Sequence, residues 1–504
     1  MSLQRNLLAG LANQVYVTLI GIVLVPLYLR YMGAEAYGLV GFFAMLQGWF
    51  SLLDAGLTPT LSREAARHRG GASDDVQYRH LVRVLEVVFL AVASVSGLAI
   101  SAGAYWIATE WLKSSVLPLS QIVSAIQLMG PIFALRWMCG LYRGALSGAE
   151  QLVWLSGFNS AVATLRFAGV LPLLLIFKPT VTLFFAYQLL VAAFETLVLV
   201  ARAYRQLPRV SAAIPWRIHL APLRPVLKFS LSIALASSAW ILITQTDKLV
   251  LSRVLPLAEY GHFTLAALVA GAVSLLSGPI GVAVMPRLAR LEAERAGEEA
   301  ERIYRETTQL VAVVVGAVSV TLAFQAEPLL WAWTGDATAT RAGASILVVY
   351  ALGNGVAALV AFPYYLQFAK GDMRLHLLGN IGFVLVFVPV VIVASVRWGG
   401  LGAAWAWLGT NLLTLVVWVP IVHGRFVRGL NRLWFLQDWL PIVTASLVTG
   451  WLVSALWPAA ESRLVALWGS LTVGLACLAA AALASTMARQ RAAAWWRERG
   501  SAGP

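Results

Sequence analysis

The chain has 504 residues, of which 60 % are hydrophobic and only 12 % are charged. Soluble domains carry about 25 % charged residues, so this composition excludes a soluble globular enzyme. It also excludes intrinsic disorder, which requires low hydrophobicity and high charge. The net charge of +14 is distributed over short segments between apolar runs, so no basic domain indicates a nucleic-acid partner.

The apolar residues form blocks of about 20, the length of helix that crosses the hydrocarbon core of a bilayer. Fourteen such blocks predict an all-α polytopic membrane protein with about 14 transmembrane helices. In chain order the predicted spans are Leu7–Leu29, Tyr37–Leu57, Val84–Ile107, Ile122–Leu141, Leu152–Phe177, Val181–Val200, Val226–Val250, Phe263–Met285, Thr307–Phe324, Ala344–Leu366, Leu375–Val396, Leu401–Val422, Leu440–Trp457 and Val465–Ala484.

The basic residues between the spans predict the orientation of the chain. When the connections are assigned alternately to two sides, one side holds 27 Lys and Arg residues and the other holds 7. Cytoplasmic loops carry the excess of basic residues, so the first side is predicted to be cytoplasmic. This side includes both termini. The predicted location is therefore the inner (plasma) membrane, as a multi-pass protein with cytoplasmic ends.

An internal repeat appears when the sequence is shifted by 223 residues. Arg30 then coincides with Arg253, Tyr37 with Tyr260, and Gly148 with Gly371. The shift maps the first span onto the seventh, so each repeat has six spans. Because six is even, both repeats enter the membrane in the same direction. We therefore expect two parallel six-helix lobes related by a pseudo-two-fold axis, as in some transporters, followed by two extra helices.

The repeat also sets the predicted domain boundaries. Residues 1–201 form the N-terminal six-helix lobe, and 202–225 form a cytoplasmic interlobe linker. Residues 226–422 form the C-terminal six-helix lobe, and 423–504 contain the two additional helices and a basic cytoplasmic tail. Mixed charges in segment 287–306 predict a separate surface helix along the membrane face.

Several segments resemble a known family. LRYMGAEAYGLVGFFAMLQGWFSLLDAGLTPTLSREAAR is similar to the first two spans of polysaccharide-export flippases of the multidrug/oligosaccharidyl-lipid/polysaccharide (MOP) superfamily. TDKLVLSRVLPLAEYG, GVAVMPRLARLEAE and YRGALSGAEQ fit the same pattern. The resemblance implies an alternating-access flippase. Its substrate would be an undecaprenyl-diphosphate-linked oligosaccharide, an O-antigen or exopolysaccharide repeat unit, moved from the cytoplasmic to the outer leaflet.

Polar residues inside the spans are the candidate site, because a charge at the bilayer centre costs at least ~2.5–3.5 kcal/mol and needs a partner or water. Arg136 and Arg166 are predicted to hold the substrate diphosphate in a central cleft, since a guanidinium binds phosphate oxygens bidentately. The other interpretation is that these arginines pair with a carboxylate and stabilise one lobe. Asn159 lies seven residues before Arg166 and shares its helix face, and Gln188 completes the predicted site.

The embedded carboxylates are candidates for ion coupling or for charge partners of the arginines. Glu195, at a depth similar to that of Arg136, is expected to pair with an arginine. Asp54 precedes Gly56 and is expected at a helix end. Asp247 is the candidate for coupling to H⁺ or Na⁺, whereas the adjacent Lys248 is expected to extend outward toward the headgroups. No other cofactor is expected.

Other functions remain open within the superfamily. A cation-coupled multidrug or small-molecule antiporter would require acidic cleft positions, and a lipid II flippase would carry a related substrate. A membrane glycosyltransferase or polymerase would need catalytic residues in a large outer loop, and the predicted outer loops are short. The chain is therefore predicted not to be an enzyme, with no catalytic residue and no metal site. Membrane lipids and polysaccharide polymerase or export proteins are the expected partners.

The predicted orientation can be tested by cysteine labelling. A cysteine introduced at Ala72 or at Gly500 should not react with a membrane-impermeant maleimide in intact cells, because both positions lie on the side with more basic residues. The same cysteines should react after permeabilisation. Labelling of either one from outside intact cells would contradict the assignment.

Overall fold

The computed structural model describes residues 3–208, 223–458 and 460–490. These residues are helical, with one isolated β-bridge between Lys113 and Pro256. The chain divides into two compact units, Met1–Gly261 and His262–Pro504. Twelve helical segments of the described residues are long and apolar enough to cross a membrane. The all-α polytopic fold is confirmed.

Ten complete helices lie within the described residues of unit 1. They are α1 (Leu3–Met32), α2 (Ala34–Phe50), α3 (Leu57–Arg69), α4 (Asp75–Ala102), α5 (Ala104–Trp106), α6 (Leu119–Gly148), α7 (Leu152–Phe167), α8 (Leu171–Ile176), α9 (Val181–Gln206) and α10 (Leu223–Val254). The next helix, α11 (Leu257–Ala293), begins in unit 1 and continues into unit 2. Short 3₁₀ and π segments extend α2 to Asp54 and α5 to Trp111.

Unit 2 contains the remaining helices. They are α12 (Gly297–Phe324), α13 (Ala326–Thr334), α14 (Ala337–Val360), α15 (Phe362–Lys370), α16 (Arg374–Leu413), α17 (Val419–Phe426), α18 (Leu430–Leu433), α19 (Leu440–Leu456) and α20 (Arg463–Ala484). Each predicted span coincides with one or two helices of unit 1 or unit 2. The twelve apolar segments include one of 53 residues that holds two predicted spans, and they omit α10. The count of fourteen therefore stays a prediction.

Glycines on α6 let it approach α3 closely in unit 1. A Cβ added to Gly144 would lie 2.7 Å from the Thr58 carbonyl oxygen, and one on Gly148 would lie 2.6 Å from the Ala65 Cβ. Together with Gly140 these residues recur every fourth position, the small-residue spacing that brings membrane helices together. The same helix also packs against α4 and α9. These contacts fix α6, which carries part of the candidate site.

The two additional C-terminal helices, α19 and α20, pack on α12. A buried polar cluster joins this part of unit 2. Asp438 accepts hydrogen bonds from Arg305 Nε (2.7 Å) and Gln309 Nε2 (2.8 Å), and Gln309 Oε1 accepts from Ser485 Oγ (2.7 Å) just beyond α20. These hydrogen bonds compensate the buried Asp438 carboxylate and the buried Gln309 amide.

Helix α16 contains two predicted spans separated at one glycine. Gly399 has φ +58° and ψ −142°, a conformation that residues with a side chain rarely adopt. The turn falls between the predicted spans Leu375–Val396 and Leu401–Val422. The polypeptide reverses there without a polar loop, which is why the sequence shows only a short break in hydropathy.

Helix boundaries follow the predicted internal repeat. Helices begin at residues 34, 75 and 152 in the first repeat and at 257, 297 and 374 in the second. The second set lies within one residue of a constant shift of 223. The loops and the spans therefore repeat together along the chain, as the sequence matches predict.

The structure corrects one predicted element. Segment 287–306 is not a separate surface helix, because α11 continues to Ala293 and α12 begins at Gly297. Between them the chain turns at Arg295, whose φ is +57°, and the Ala296 amide donates to the Leu291 carbonyl. The mixed charges thus form the ends of two long helices, which project beyond their apolar parts.

Other predicted boundaries remain open. The predicted loop 59–83 contains helix α3, whose apolar face packs on α6. The division between compact units falls after Gly261, whereas the predicted lobe boundary lies at 202–225 and stays a prediction. Most of that linker, residues 209–222, lies outside the described residues, as does most of the predicted basic tail, 491–504.

Two alanine substitutions test the close packing of α6. Gly144→Ala should lower the free energy of unfolding by about 1–3 kcal/mol, because the new Cβ collides with a backbone carbonyl oxygen that cannot move aside. Gly157→Ala on α7 is the control, since nothing lies within 4 Å of its added Cβ. It should stabilise by up to about 1 kcal/mol through helix propensity. Thermal unfolding in detergent measures both, and an equal effect of the two variants would contradict the packing argument.

Candidate functional site

Three helices of unit 1 bring most of the predicted site residues together. Arg136 lies on α6, Arg166 lies in the last turn of α7, and Gln188 and Glu195 lie on α9. Helix α9 packs along α6 and also contacts α7. Gln188 and Glu195 are seven residues apart and therefore share a helix face. That face is turned toward the arginines.

Gln188 links the two predicted arginines. Its Oε1 accepts a hydrogen bond from Arg136 Nη2 at 2.8 Å, and its Nε2 donates to the Arg166 carbonyl oxygen at 2.8 Å. The side chain is buried. One amide therefore fixes the Arg136 guanidinium relative to the backbone of α7. Gln188 is a positioning residue in this arrangement.

Arg136 keeps part of its hydrogen-bonding capacity unused. Its guanidinium carbon lies 5.4 Å from the centre of the Phe43 ring, a cation–π contact. Nη2 is bonded to Gln188, and Nε is enclosed without a partner among the described residues. Nη1 makes no hydrogen bond to the described part of the chain and remains available to a ligand.

Arg166 is the least compensated charge of the site. It lies near the middle of the apolar segment Leu152–Ile176. Within residues 3–208, 223–458 and 460–490 its guanidinium makes no hydrogen bond and no ion pair, and its nearest aromatic contact is the Phe167 ring at 5.8 Å. An unpartnered guanidinium at this depth requires water or an anion.

Glu195 pairs with an arginine, but not with the one expected. The carboxylate, which is 2 % exposed, contacts Arg143 Nη2. The predicted spans leave Arg143 in a loop on the side with more basic residues, whereas in the structure it lies on α6, which continues through Gly148. Arg143 follows Arg136 by seven residues on the same helix, so the two lie on one face. A matching seven-residue spacing on α6 and α9 could have identified this pair from the sequence.

The cluster carries more positive than negative charge. It contains three guanidinium groups, on Arg136, Arg143 and Arg166, and one carboxylate, on Glu195. Arg143 and Glu195 form an ion pair, whereas neither Arg136 nor Arg166 has a carboxylate within ion-pair distance among the described residues. The arrangement is suited to an anion with two charges or more.

Asn159 is not brought into contact with the arginine cluster. It lies on α7 two turns before Arg166 and on the same face. Its Oδ1 is enclosed and accepts no hydrogen bond from the described residues. The predicted role in substrate binding stays a prediction.

Asp54 lies at the break between α2 and α3. Its Oδ1 accepts hydrogen bonds from the Thr58 amide (3.2 Å) and the Thr58 hydroxyl (2.6 Å) at the start of α3. The chain turns there through Ala55 and Gly56, which have φ values of +44° and +72°. Asp54 also lines a pocket of about 700 Å³ together with Arg136.

Asp247 is buried on α10 beside a lysine that does not extend outward. Lys248 Nζ donates to the Thr244 carbonyl oxygen at 2.5 Å and lies 3.4 Å from Asp247 Oδ1. The expectation of an outward lysine is wrong, because helical side chains lean toward the N-terminus of their own helix. That lean carries the ammonium back by one turn.

Glu35 is a buried carboxylate that the sequence prediction missed. Its oxygens accept hydrogen bonds from the Ser115 amide (2.8 Å), the Leu117 amide (2.8 Å) and the Ser114 hydroxyl (2.7 Å). It therefore holds the loop before α6 against the start of α2. In the sequence, Glu35 is marked only by its position in the first turn of a helix. As for metals, the described residues contain no group of three His, Cys, Asp or Glu side chains that could bind an ion.

Comparison with known proteins identifies the family. Residues 3–292 match the sequence family described as "Polysaccharide biosynthesis protein", which is more than half of the chain. The chain belongs to this family. No curated protein matches it in sequence.

Solved structures similar to this polysaccharide biosynthesis protein are transporters of the MOP superfamily. The lipid II flippase MurJ, in an inward closed conformation, has 13 % identity and a TM-score of 0.70 over 94 % of this chain and 97 % of its own. An inward-facing multidrug resistance MATE transporter has 14 % identity and a TM-score of 0.64 over 83 % and 96 %. A Pyrococcus furiosus MOP transporter, reported for the reversed polarity of its binding pocket, has 15 % identity and a TM-score of 0.55 over 84 % and 94 %. These likenesses confirm the predicted MOP fold.

A double-mutant cycle tests the pair between Arg143 and Glu195. Arg143→Gln, Glu195→Gln and the double variant should give a coupling energy of about 1.5 kcal/mol or more, because the carboxylate is buried. The exposed pair Arg302–Glu299, at 2.6 Å, is the control and should give a much weaker coupling, because solvent screens both charges. Thermal unfolding in detergent supplies the energies. Equal coupling in the two cycles would mean that burial does not strengthen the pair.

Proposed function

We propose that this polysaccharide biosynthesis protein is a flippase for a polyprenyl-diphosphate-linked oligosaccharide, such as an O-antigen or exopolysaccharide repeat unit. It would move the headgroup from the cytoplasmic to the outer leaflet of the inner membrane by alternating access, with both termini in the cytoplasm. The observation that carries the proposal is the unpartnered Arg166 guanidinium at mid-span. The family assignment supports the polysaccharide pathway.

The arginine cluster supplies the chemistry that such a substrate needs. A diphosphate diester has two fixed negative charges and several acceptor oxygens, and two guanidinium groups can bind it with parallel hydrogen bonds. Arg166 offers its free terminal nitrogens, and Arg136 offers Nη1. Gln188 fixes the Arg136 guanidinium relative to the backbone of α7, so little ordering of the Arg136 side chain is left to the moment of binding.

Cation-coupled drug export is the second candidate, since a MATE transporter shares the fold. A cation site requires carboxylates without a compensating charge. Here Glu195 contacts Arg143, Asp247 lies beside Lys248, and Asp54 caps α3. The polar positions of unit 1 thus favour an anionic substrate over a cationic one. Lipid II, the substrate in the name of the MurJ relative, has the same diphosphate chemistry and stays an alternative.

The remaining parts of the proposal concern energy and partners. H⁺ or Na⁺ is the proposed coupling ion. Neither Glu195 nor Asp247 is assigned to it, because each has a cationic neighbour, and no catalytic step is proposed. A polymerase or export protein that receives the flipped unit is the proposed partner. Depletion of the protein in cells tests the function directly: lipid-linked repeat units should accumulate in the inner leaflet. Normal export without the protein would contradict it.

Substitution of Arg166 tests the role of the mid-span guanidinium. Arg166→Ala should leave the protein folded and inserted but abolish export, because the diphosphate loses its main partner. Arg166→Lys should restore export only in part, since an ammonium keeps the charge and loses the bidentate geometry. In-cell polymer assembly and thermal stability in detergent are the two measurements.

The control for this series is Arg302→Ala, which removes an exposed arginine of α12 and should change neither measurement. A structural role for Arg166 predicts a different pattern. In that case Arg166→Ala lowers stability sharply, and Arg166→Met restores both stability and export. This pattern would contradict the assignment of Arg166 to the substrate.

A further inference from the structure

A pocket of about 700 Å³ in unit 1 combines three kinds of ligand-binding groups. It lies at the break between α2 and α3, and its walls include Asp54, Arg136, Trp137 and Trp240. A carboxylate, a guanidinium and two indole rings thus surround one open space. Asp54 and the two tryptophans have no role in the proposed diphosphate contacts.

Trp240 is placed unusually for a tryptophan in a membrane helix. It lies near the middle of α10 and is 64 % exposed. Tryptophans of membrane proteins concentrate at the two interfaces, where the N–H group reaches water. The exposed indole of Trp240 lines the pocket with an apolar ring and an N–H group. A ligand that offers both an apolar face and a polar atom would satisfy this side chain.

The polar walls of the pocket also have unused capacity. Asp54 Oδ1 accepts both bonds from Thr58, whereas Oδ2 has only a long contact of 3.4 Å to the Thr58 amide. Arg136 has Nη1 available after Nη2 is bonded to Gln188. The pocket therefore presents one acceptor and one cationic donor beside an aromatic face.

We propose that this pocket is a sugar subsite, which binds the first sugar of the substrate next to the diphosphate. Trp240 stacks on the sugar ring, Asp54 Oδ2 accepts hydrogen bonds from its hydroxyl groups, and Arg136 contacts the adjoining phosphate. The inference rests on the proposed function and adds a specificity determinant to it. Recognition of the sugar would distinguish a glycosylated lipid from the bare lipid diphosphate.

Charge and polarity disfavour the other occupants of the pocket. A lipid chain would leave a carboxylate and a guanidinium against hydrocarbon, which is unfavourable for both. A second phosphate would be repelled by Asp54. A sugar ring has apolar C–H faces for the indole and hydroxyl groups for the carboxylate.

The test compares two probes on the full-length protein in nanodiscs. One is undecaprenyl diphosphate, and the other is the same lipid carrying a single N-acetylglucosamine. The wild-type protein should bind the glycosylated lipid about tenfold more tightly. Trp240→Leu and Asp54→Asn should each remove most of this preference and leave the affinity for undecaprenyl diphosphate unchanged. Asn keeps an oxygen that accepts from the Thr58 amide, so α3 remains capped.

Two controls accompany these variants. Trp451→Leu removes an equally exposed tryptophan of α19, outside the pocket, and should keep the full preference. Trp240→Phe keeps an aromatic face and should retain most of it. If Trp240→Leu does not fold, Trp240→Phe and Asp54→Asn test the subsite instead. A full preference in Trp240→Phe together with a lost preference in Asp54→Asn would support it.

Three results would overturn the inference in distinguishable ways. An unchanged preference in both Trp240→Leu and Asp54→Asn would mean that the sugar binds elsewhere. An equal loss of affinity for both lipids would assign the pocket to the diphosphate or to the lipid chain. Failure of the wild-type protein to bind either lipid would contradict the proposed function itself.

Discussion

Each charged group inside an apolar segment needs a partner, and this constraint organises unit 1. Water cannot compensate the charge of a guanidinium in the hydrocarbon region. A partner must therefore come from a side chain of the protein or from a bound ligand. Arg143 has a carboxylate in Glu195, and Arg136 has the amide of Gln188. Arg166 has neither among the described residues. Arg143 and Arg136 thus have partners that stabilise unit 1, whereas the Arg166 guanidinium is left to bind a substrate.

The pairing follows from the register of α6 and α9. Arg136 and Arg143 are seven residues apart on α6, and their partners Gln188 and Glu195 are seven residues apart on α9. Both sequence numbers increase together, so the two helices run in the same direction. One contact is an ion pair and the other is a neutral amide. Because Gln188 is neutral, it positions the Arg136 guanidinium without compensating its charge. A carboxylate at position 188 would have compensated that charge.

The sequence predicted the fold well because its signals are local. Blocks of hydropathy located the spans, and the shift of 223 residues anticipated where helices begin in the second repeat, for example at 257 and 374. It failed where a helix continues past its apolar part. Arg143 was placed in a loop for this reason, and segment 287–306 was assigned to a helix of its own. Polarity marks the membrane boundary and does not mark the end of a helix.

The candidate site was predicted in part, for a related physical reason. The residue types and the seven-residue spacing identified Arg136, Arg166, Gln188 and Glu195, and the fold brings them together. Which arginine meets Glu195 depends on how far each long side chain leans back along its helix, and hydropathy carries no such information. The position of Lys248 was wrong for the same reason. Glu35 was missed because its partners are backbone amides, which every sequence contains.

The accuracy of the site depends on contacts that carry no charge. Helix α6 approaches α3 so closely that Gly144 and Gly148 have no room for a Cβ, and α6 also packs on α9. Packing at native density tolerates little displacement, so these glycines fix the position of α6 along its axis relative to α3. A shift of α6 by one turn would move Arg143 away from Glu195 and Arg136 away from Gln188 at once. Small residues of α6 thereby help to set the position of the arginines on the same helix.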